Sequence, residues 1–270
     1  SLLLNDCLPR LIDAALAPEG PEVHMVRTWR HQRSHERLEA EQWLGLHPTR
    51  LRDRWTSAGR RGREPAILFE VIDTSDEFKH VAAVFKAEPV EAPAYRAEDH
   101  GMQVLRVQRV ENGSQQDANF LPYCEGVLQS FADQGIEFEA GVHTFWAFHG
   151  SDSTSTESIV NNQVTGFQPL TAGMRTSCLW GPGTYFARDA NYVIQGGFCG
   201  PPASNGVRQM LMCLIMIGIP CVGDPRHHGL LPCRKGGHCY NSAVDSLSCP
   251  EIFVLPHQGA AYPAYLITFA

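Results

Sequence analysis

"FWAFHG" ends an apolar aromatic run with a single titratable ring, His149, and follows it at once with Gly150, a residue without a side chain. A neutral imidazole offers a ligand one donor and one acceptor. The missing Cβ next to it lets a second group reach the main chain. "GPGTYFA" sets Tyr185 in a strand-like run just behind Gly181 and Gly183. "PEIFVLP" puts Glu251 beside Ile252. Adjacent strand side chains point to opposite faces, so one of that pair meets a cleft on either side and the other turns away. Cys221, His227, His228, Cys233, His238 and Cys239 form a thiol- and imidazole-rich loop. Zinc accepts those ligand types, but the spacing fits no standard finger and the Gly and Pro content is that of a surface excursion. No metal is expected there.

Several common chemistries are excluded. "GPGTYFA" has the look of a dinucleotide fingerprint, yet its third required position is Phe186 rather than Gly or Ala, and no helical pattern is read after it. A Rossmann turn is therefore not expected. The chain has no P-loop, no G-x-S-x-G and no H-E-x-x-H.

The elements that must hold these residues are legible as patterns. "HERLEAEQWLGL" and "CLPRLIDAALAP" carry helical spacing in residues 1–65, and "RLRDRWTSAGRRGREP" reads as a basic, solvated linker. From residue 66 the texture changes. "AILFEVI" predicts a strand, and "SDEFKHVAAVFKAE" a helix capped by Ser75 or Asp76. "MQVLRVQRVEN" alternates as a half-buried strand, and "DANFLPYCEGVLQSFADQG" reads as a helix closing at Gly135. "HTFWAFHG" is the next strand, followed by a short helix in "STESIVNNQ" capped by Ser153 or Thr154. "GTYFA", "RQMLMCLIMIG", "SCPEIFVLP" and "YPAYLITFA" complete the strands. Helices early and strands late predict an α+β chain built on a mixed sheet.

Composition bounds the partners. The net charge is -7 over 270 residues, split as +2 over residues 1–65 and -9 over the rest. That balance argues against a nucleic-acid partner bound through a basic face. "MLMCLIMIGIPCV" is too short to cross a bilayer, and no membrane partner is expected. Nine cysteines in mostly apolar contexts point to a reducing, intracellular location, cytoplasmic or nuclear.

Four segments in order, "FHG" (148–150), "GPGTYFARDANY" (181–192), "RQMLMCLIMIG" (208–218) and "YNSAVDSLSCPEIFVLPHQGAAYPAYLITF" (240–269), together resemble the catalytic domain of the poly(ADP-ribose) polymerase superfamily. The nearest likeness is to the mono-ADP-ribosylating, macrodomain-associated members. The resemblance covers residues 66–270 and leaves 1–65 as a helical extension. It implies an ADP-ribosyltransferase fold with a split, mixed, mainly antiparallel sheet, using NAD+ as co-substrate and unidentified proteins as acceptors.

Carried over residue by residue, His149 takes the family's histidine position and meets the adenosine ribose. Gly150 takes the glycine whose main chain grips the nicotinamide carboxamide. Tyr185 takes the tyrosine that packs on nicotinamide, with Phe186 and Ala187 beside it in the donor site. The third catalytic position, glutamate in polymer-forming relatives, falls on Ile252, and Glu251 is expected to aim away. Phe198 or Tyr192 takes a second stacking ring, and Arg175 meets the pyrophosphate. Val193 stands where relatives place a serine against the carboxamide. The implied activity is transfer of one ADP-ribose to a protein side chain, Glu or Asp, including the enzyme's own. The alternative is a member that binds NAD or a protein partner without transfer.

Overall fold

The structure, a computed structural model, describes residues 33–57, 66–87, 102–162, 166–169, 178–227, 231–234 and 236–270. Arg175, His228 and the segment "CLPRLIDAALAP" lie outside them. Among the described residues nine strands form one sheet in the order β1-β2-β9-β5-β3-β4-β8-β7-β6. These are β1 (Ile67–Glu70), β2 (Val104–Glu111), β3 (Thr144–His149), β4 (Thr184–Ala187), β5 (Arg208–Met216), β6 (Pro220–Val222), β7 (Ser242–Val244), β8 (Ile252–Leu255) and β9 (Ala261–Phe269). Neighbours pair antiparallel except β6 and β7, which run parallel. The α+β class and the mixed, mainly antiparallel sheet are those expected.

β5 lies near the sheet's middle, between β3 and β9. Met210 to Met216 are each fully buried, as a strand covered on both faces requires. It pairs with β3 from Thr144↔Met216 to His149↔Leu211. The next junction is much weaker. β3 meets β4 in the single register pair Phe148↔Ala187. The sheet is continuous in order but split at that seam, and His149 ends the strand on one side of it.

Helix α1 (His35–Leu44) is capped by Ser34, whose hydroxyl accepts from the Arg37 N–H. It packs on α2 (Asp76–Lys86), where Ser75 is the cap that accepts from the Phe78 N–H. α3 (Leu121–Asp133) ends at Gln134, and Gly135 takes the left-handed turn with φ 68°. α4 (Ser153–Asn161) begins two residues before the quoted "STESIVNNQ". Its cap is Asp152, whose carboxylate accepts from the Ser155 N–H at 2.7 Å. A carboxylate at this position also suits the positive end of the helix dipole.

Three readings are corrected here. β2 is not half-buried along its length, because Gln108, Arg109 and Glu111 are also buried. Arg109 donates to Glu77 at 2.6 Å and to Glu111 at 3.0 Å, so from Val107 to Glu111 polar and apolar residues alike are buried, while Leu105 and Arg106 stay exposed. A helix does follow "GTYFA": α5 (Ala190–Gln195). The glycines precede that strand rather than open the helix, so the Rossmann arrangement is still absent. Finally, the described start of the basic stretch after α1 is a helical turn, Pro48–Arg54, and not a linker, with its arginines exposed or half-exposed but in part paired. Arg52 pairs with Asp117 at 2.5 Å, and Arg54 donates to the Leu44 carbonyl at 2.6 Å.

One side chain from the extension reaches the seam. Arg37 is buried, and its guanidinium donates to Glu41 (2.8 Å), to Asp189 (2.7 Å), to the Arg188 carbonyl (2.9 Å) and to the Trp146 carbonyl (3.3 Å). Trp146 lies on β3 and Arg188 just past β4, so one planar group spans the gap that strand pairing leaves. Arg33 adds a second buried contact to Glu41 and donates to the Gly141 carbonyl at 3.0 Å.

Candidate active site

His149 is held by both sides of the seam. Its Nδ1 lies 2.8 Å from the Tyr185 carbonyl oxygen. A carbonyl can only accept, so Nδ1 carries the hydrogen and Nε2 keeps its lone pair. Phe167 meets the ring edge-on at 5.2 Å and Phe186 lies at 5.4 Å. Burial pushes the imidazole below its ordinary pKa, against the raising effect of the Tyr185 carbonyl. The neutral ring offers an acceptor, the complement of a sugar hydroxyl.

Tyr185 presents its ring rather than its hydroxyl. The hydroxyl donates to the Gly181 carbonyl at 2.7 Å and accepts from the Trp180 N–H at 3.2 Å. Gly181 supports that turn with φ 97°. Tyr185 pairs with Val254 and Ala187 with Ile252, so all four side chains share one face of the β4–β8 ladder. Tyr185, Ile252 and Trp180 pack around the same apolar cluster of Cys221, Leu231, Ala243 and Val254.

The Glu251–Ile252 pair divides as adjacent strand residues must. Ile252 is half-buried on the Tyr185 face. Glu251 lies 3.8 Å from Arg188, on the arm of the network that runs through Asp189 to Arg37. Asp245 fixes the start of β8, its Oδ1 accepting from the Glu251 and Ile252 N–H groups, each at 3.0 Å. Burial raises its pKa, opposed by those two hydrogen bonds. The sequence reading passed over Asp245. The available signal was an Asp set shortly before a Ser- and Pro-containing turn, the kind of side chain that binds nearby backbone.

The glycine beside His149 has a reason that the sequence reading did not supply. A Cβ built on Gly150 would lie 2.4 Å from Val193 Cγ1 and 2.8 Å from the Phe198 carbonyl carbon. α5 and the turn after it stand where a side chain would go, so the chain's own packing also requires the missing Cβ. Val193 is buried at that contact. Phe198 is 44% exposed and stacks on Tyr192, with centroids 6.1 Å apart and planes 19° apart. The two rings weighed as alternatives therefore stand side by side.

Phe186, counted with the donor-site residues, points to the other side of β4 from Tyr185 and is buried behind the His149 ring. Ala187 is buried at the seam between Phe148 and Ile252. Of the thiol- and imidazole-rich loop, Cys233 and Cys239 face each other. Cys221 is buried on β6, whereas Cys233 and Cys239 are exposed. Among the described residues no group of three or more His, Cys, Asp or Glu is placed to hold a metal. Among them, too, no helix is long and apolar enough to cross a membrane.

Residues 75–222 match the family described as poly(ADP-ribose) polymerase catalytic domain, a span that holds His149, Tyr185 and Val193 and stops short of Ile252. The chain is 33% identical over 126 residues to the human protein mono-ADP-ribosyltransferase PARP14, covering 45% of this chain and 7% of that protein. It is 29% identical over 212 residues to mouse protein mono-ADP-ribosyltransferase PARP10, covering 76% of this chain and 20% of that one. Mouse protein mono-ADP-ribosyltransferase PARP11 is 27% identical over 187 residues, 62% of this chain and 52% of its own length. The chain thus spans about half or less of these relatives. With more than half of its length matched, it belongs to the poly(ADP-ribose) polymerase catalytic domain family.

Proposed function

We propose that this protein transfers a single ADP-ribose from NAD+ to protein side chains, releasing nicotinamide. The observation that carries this reading is the division at the start of β8. Ile252 shares a face with Tyr185, while Glu251 is drawn to Arg188. Cleavage of the nicotinamide–ribose bond develops oxocarbenium character. A carboxylate on the Tyr185 face would stabilise that charge and hold a ribose hydroxyl as the next nucleophile. Isoleucine does neither, so chain growth has no base.

One transfer still balances. The bond from nicotinamide nitrogen to ribose C1′ breaks, and nicotinamide leaves with the electron pair. An acceptor Glu or Asp, on another protein or on this one, bonds through its carboxylate oxygen to C1′. That acceptor is then spent. In this reading His149 Nε2 accepts from a hydroxyl of the adenosine ribose. Tyr185 packs its ring on nicotinamide, and the Gly150 main chain meets the carboxamide. The Phe198–Tyr192 pair gives a second aromatic wall, which needs only a π face. A cytoplasmic or nuclear setting, where NAD+ and reduced thiols coexist, suits the cysteine content.

The relatives' names as mono-ADP-ribosyltransferases support the reaction class. Val193 favours a second reading, in which NAD+ is bound without transfer, because a buried isopropyl group cannot replace a serine hydroxyl at the carboxamide.

Incubation with biotin-labelled NAD+ and a mixed protein extract, followed by a denaturing gel, separates the two. The expected result is a discrete band that falls roughly 100-fold in His149→Ala and Tyr185→Ala, the scale of loss when a substrate is mispositioned. A polymer smear from the wild type would refute single-unit transfer. Absent label, together with a thermal shift on adding an NAD analogue, would establish the binding-only reading.

A further inference from the structure

Between β6 and β7 the chain makes an excursion that the proposed transfer chemistry does not use. Within it Cys233 and Cys239 oppose each other as an isolated antiparallel bridge. The hydrogen bonds flank the two cysteines instead of joining them. The Arg234 N–H donates to the His238 carbonyl, and the Tyr240 N–H to the Pro232 carbonyl at 3.1 Å. This is the non-hydrogen-bonded kind of pair, in which facing Cα atoms stand closest, about 4.5 Å apart, and side chains meet. That spacing lies at the short end of what a disulfide spans. The two sulfurs are 3.2 Å apart. Gly236 and Gly237, at φ 95° and 86°, make the tight return that brings them together.

We propose that Cys233 and Cys239 form a reversible dithiol–disulfide pair, closed by exchange with a small-molecule disulfide such as oxidised glutathione. One cysteine thiolate attacks a sulfur of that disulfide, and a glutathione thiolate leaves. The second cysteine thiolate attacks the mixed disulfide and releases the other glutathione. The protein loses two protons and two electrons, and the small disulfide is reduced to two thiols. Selectivity follows from exposure. Among the described residues these are the two exposed cysteines. Cys124, Cys199, Cys213 and Cys221 are buried, and burial holds the Cys199 thiol up at about 11. Thiols kept protonated and covered exchange slowly.

The pair is placed to matter for whatever meets Tyr185. Leu231 and Tyr240, at the base of the same small hairpin, pack against the cluster that includes Tyr185 and Ile252. Arg234 donates to Gln134 at the end of α3 at 3.1 Å. Closure would staple the hairpin between those two anchors.

The test needs no NAD+. Native protein is equilibrated in reduced and in oxidised glutathione, free thiols are blocked with iodoacetamide, and the digest is mapped by mass spectrometry. The cross-linked peptide joining Cys233 and Cys239 should rise from roughly a tenth of the protein to roughly nine tenths, and dithiothreitol should reverse it. Cys233→Ser and Cys239→Ser, both surface changes, should each abolish it with the melting curve unmoved. Glutathione left attached to either cysteine without closure overturns the proposal, and so does cross-linking to Cys178 or Cys249. Retention of a zinc ion by the reduced protein, equimolar with it after dialysis, would also overturn it by assigning the thiols to a metal.

Discussion

The two halves of the sheet meet at Phe148 and Ala187 and are held by different means. On the β3 side all but the edge strand β1 run six to nine residues, and β5 pairs with β9 from Arg208↔Phe269 to Ile215↔Ala261. Its core is continuous, with Phe145, Trp146, Phe148 and Phe269 each almost wholly buried. On the β4 side β4, β6, β7 and β8 are strands of three or four residues. A short ladder supplies few main-chain hydrogen bonds, so side chains take over. Asp245 pins β8, the Tyr185 hydroxyl pins the turn at Gly181, and Arg37 crosses the seam. His149 belongs to the first half but is oriented by a carbonyl of the second. The seam therefore has one side set by backbone and one set by polar side chains, and the second side is the easier to undo.

The largest effect should come from Arg37. Arg37→Ala leaves Glu41 with Arg33 and Asp189 with Arg188, but takes a donor from both carboxylates and from the Trp146 and Arg188 carbonyls, and losses of this kind in the interior cost about 1–3 kcal/mol each. Urea unfolding should show that loss, with faster amide exchange at Thr144–His149 than at Arg208–Met216. Arg37→Lys should recover little of it, because an ammonium cannot match a planar group with four acceptors around it. A loss below about 1 kcal/mol would mean that the seam holds itself, and the contrast between the halves would fail.

Val193→Ser sharpens the contrast from the ligand's side. A serine hydroxyl there should add about one hydrogen bond to the carboxamide, worth ~1 kcal/mol or roughly fivefold in affinity. It should also lower stability by about 1–3 kcal/mol, since a hydroxyl replaces a packed isopropyl group. Calorimetric titration with a non-hydrolysable NAD analogue reads the first and thermal melting the second. Unchanged affinity in a folded variant would place the carboxamide away from α5.

Glu251→Gln should have the smallest effect, with transfer within about twofold of wild type and stability within ~0.5 kcal/mol. Its carboxylate is 21% exposed and stands 3.8 Å from Arg188. Collapse of labelling in this variant, with the fold intact, would show that Glu251 and not Ile252 serves the cleft.

What the sequence made legible follows the same division. The run Met210–Met216 announces a doubly covered strand because only apolar residues tolerate burial on both faces. The parity of Glu251 and Ile252 could be read without coordinates, since alternation is a property of any strand. β6 and β7, at three residues each, carry too little pattern to register. The cap of α4, read as Ser153 or Thr154, was misassigned by one or two residues because Asp152 stands next to hydroxyl residues of similar capping strength. The arginine pairings were hidden for a different reason. Arg37 and Asp189 are 152 residues apart, and Arg52 and Asp117 are 65 apart. Nothing local distinguishes a solvated arginine from one whose partner arrives only with the fold. The packing of Gly150 against Val193 was hidden in the same way.

Arg37 also bears on where this domain can be cut. Composition invites a boundary at residue 66, where strand texture begins. A fragment started there would lack the helix that seats Ala40 and Leu44, both of which are buried. It would also keep Asp189 and the Trp146 and Arg188 carbonyls without the guanidinium that joins them. Recombinant pieces meant to isolate the catalytic fold should therefore begin upstream of Arg33, and low yield from shorter ones would reflect a missing part, not a difficult protein.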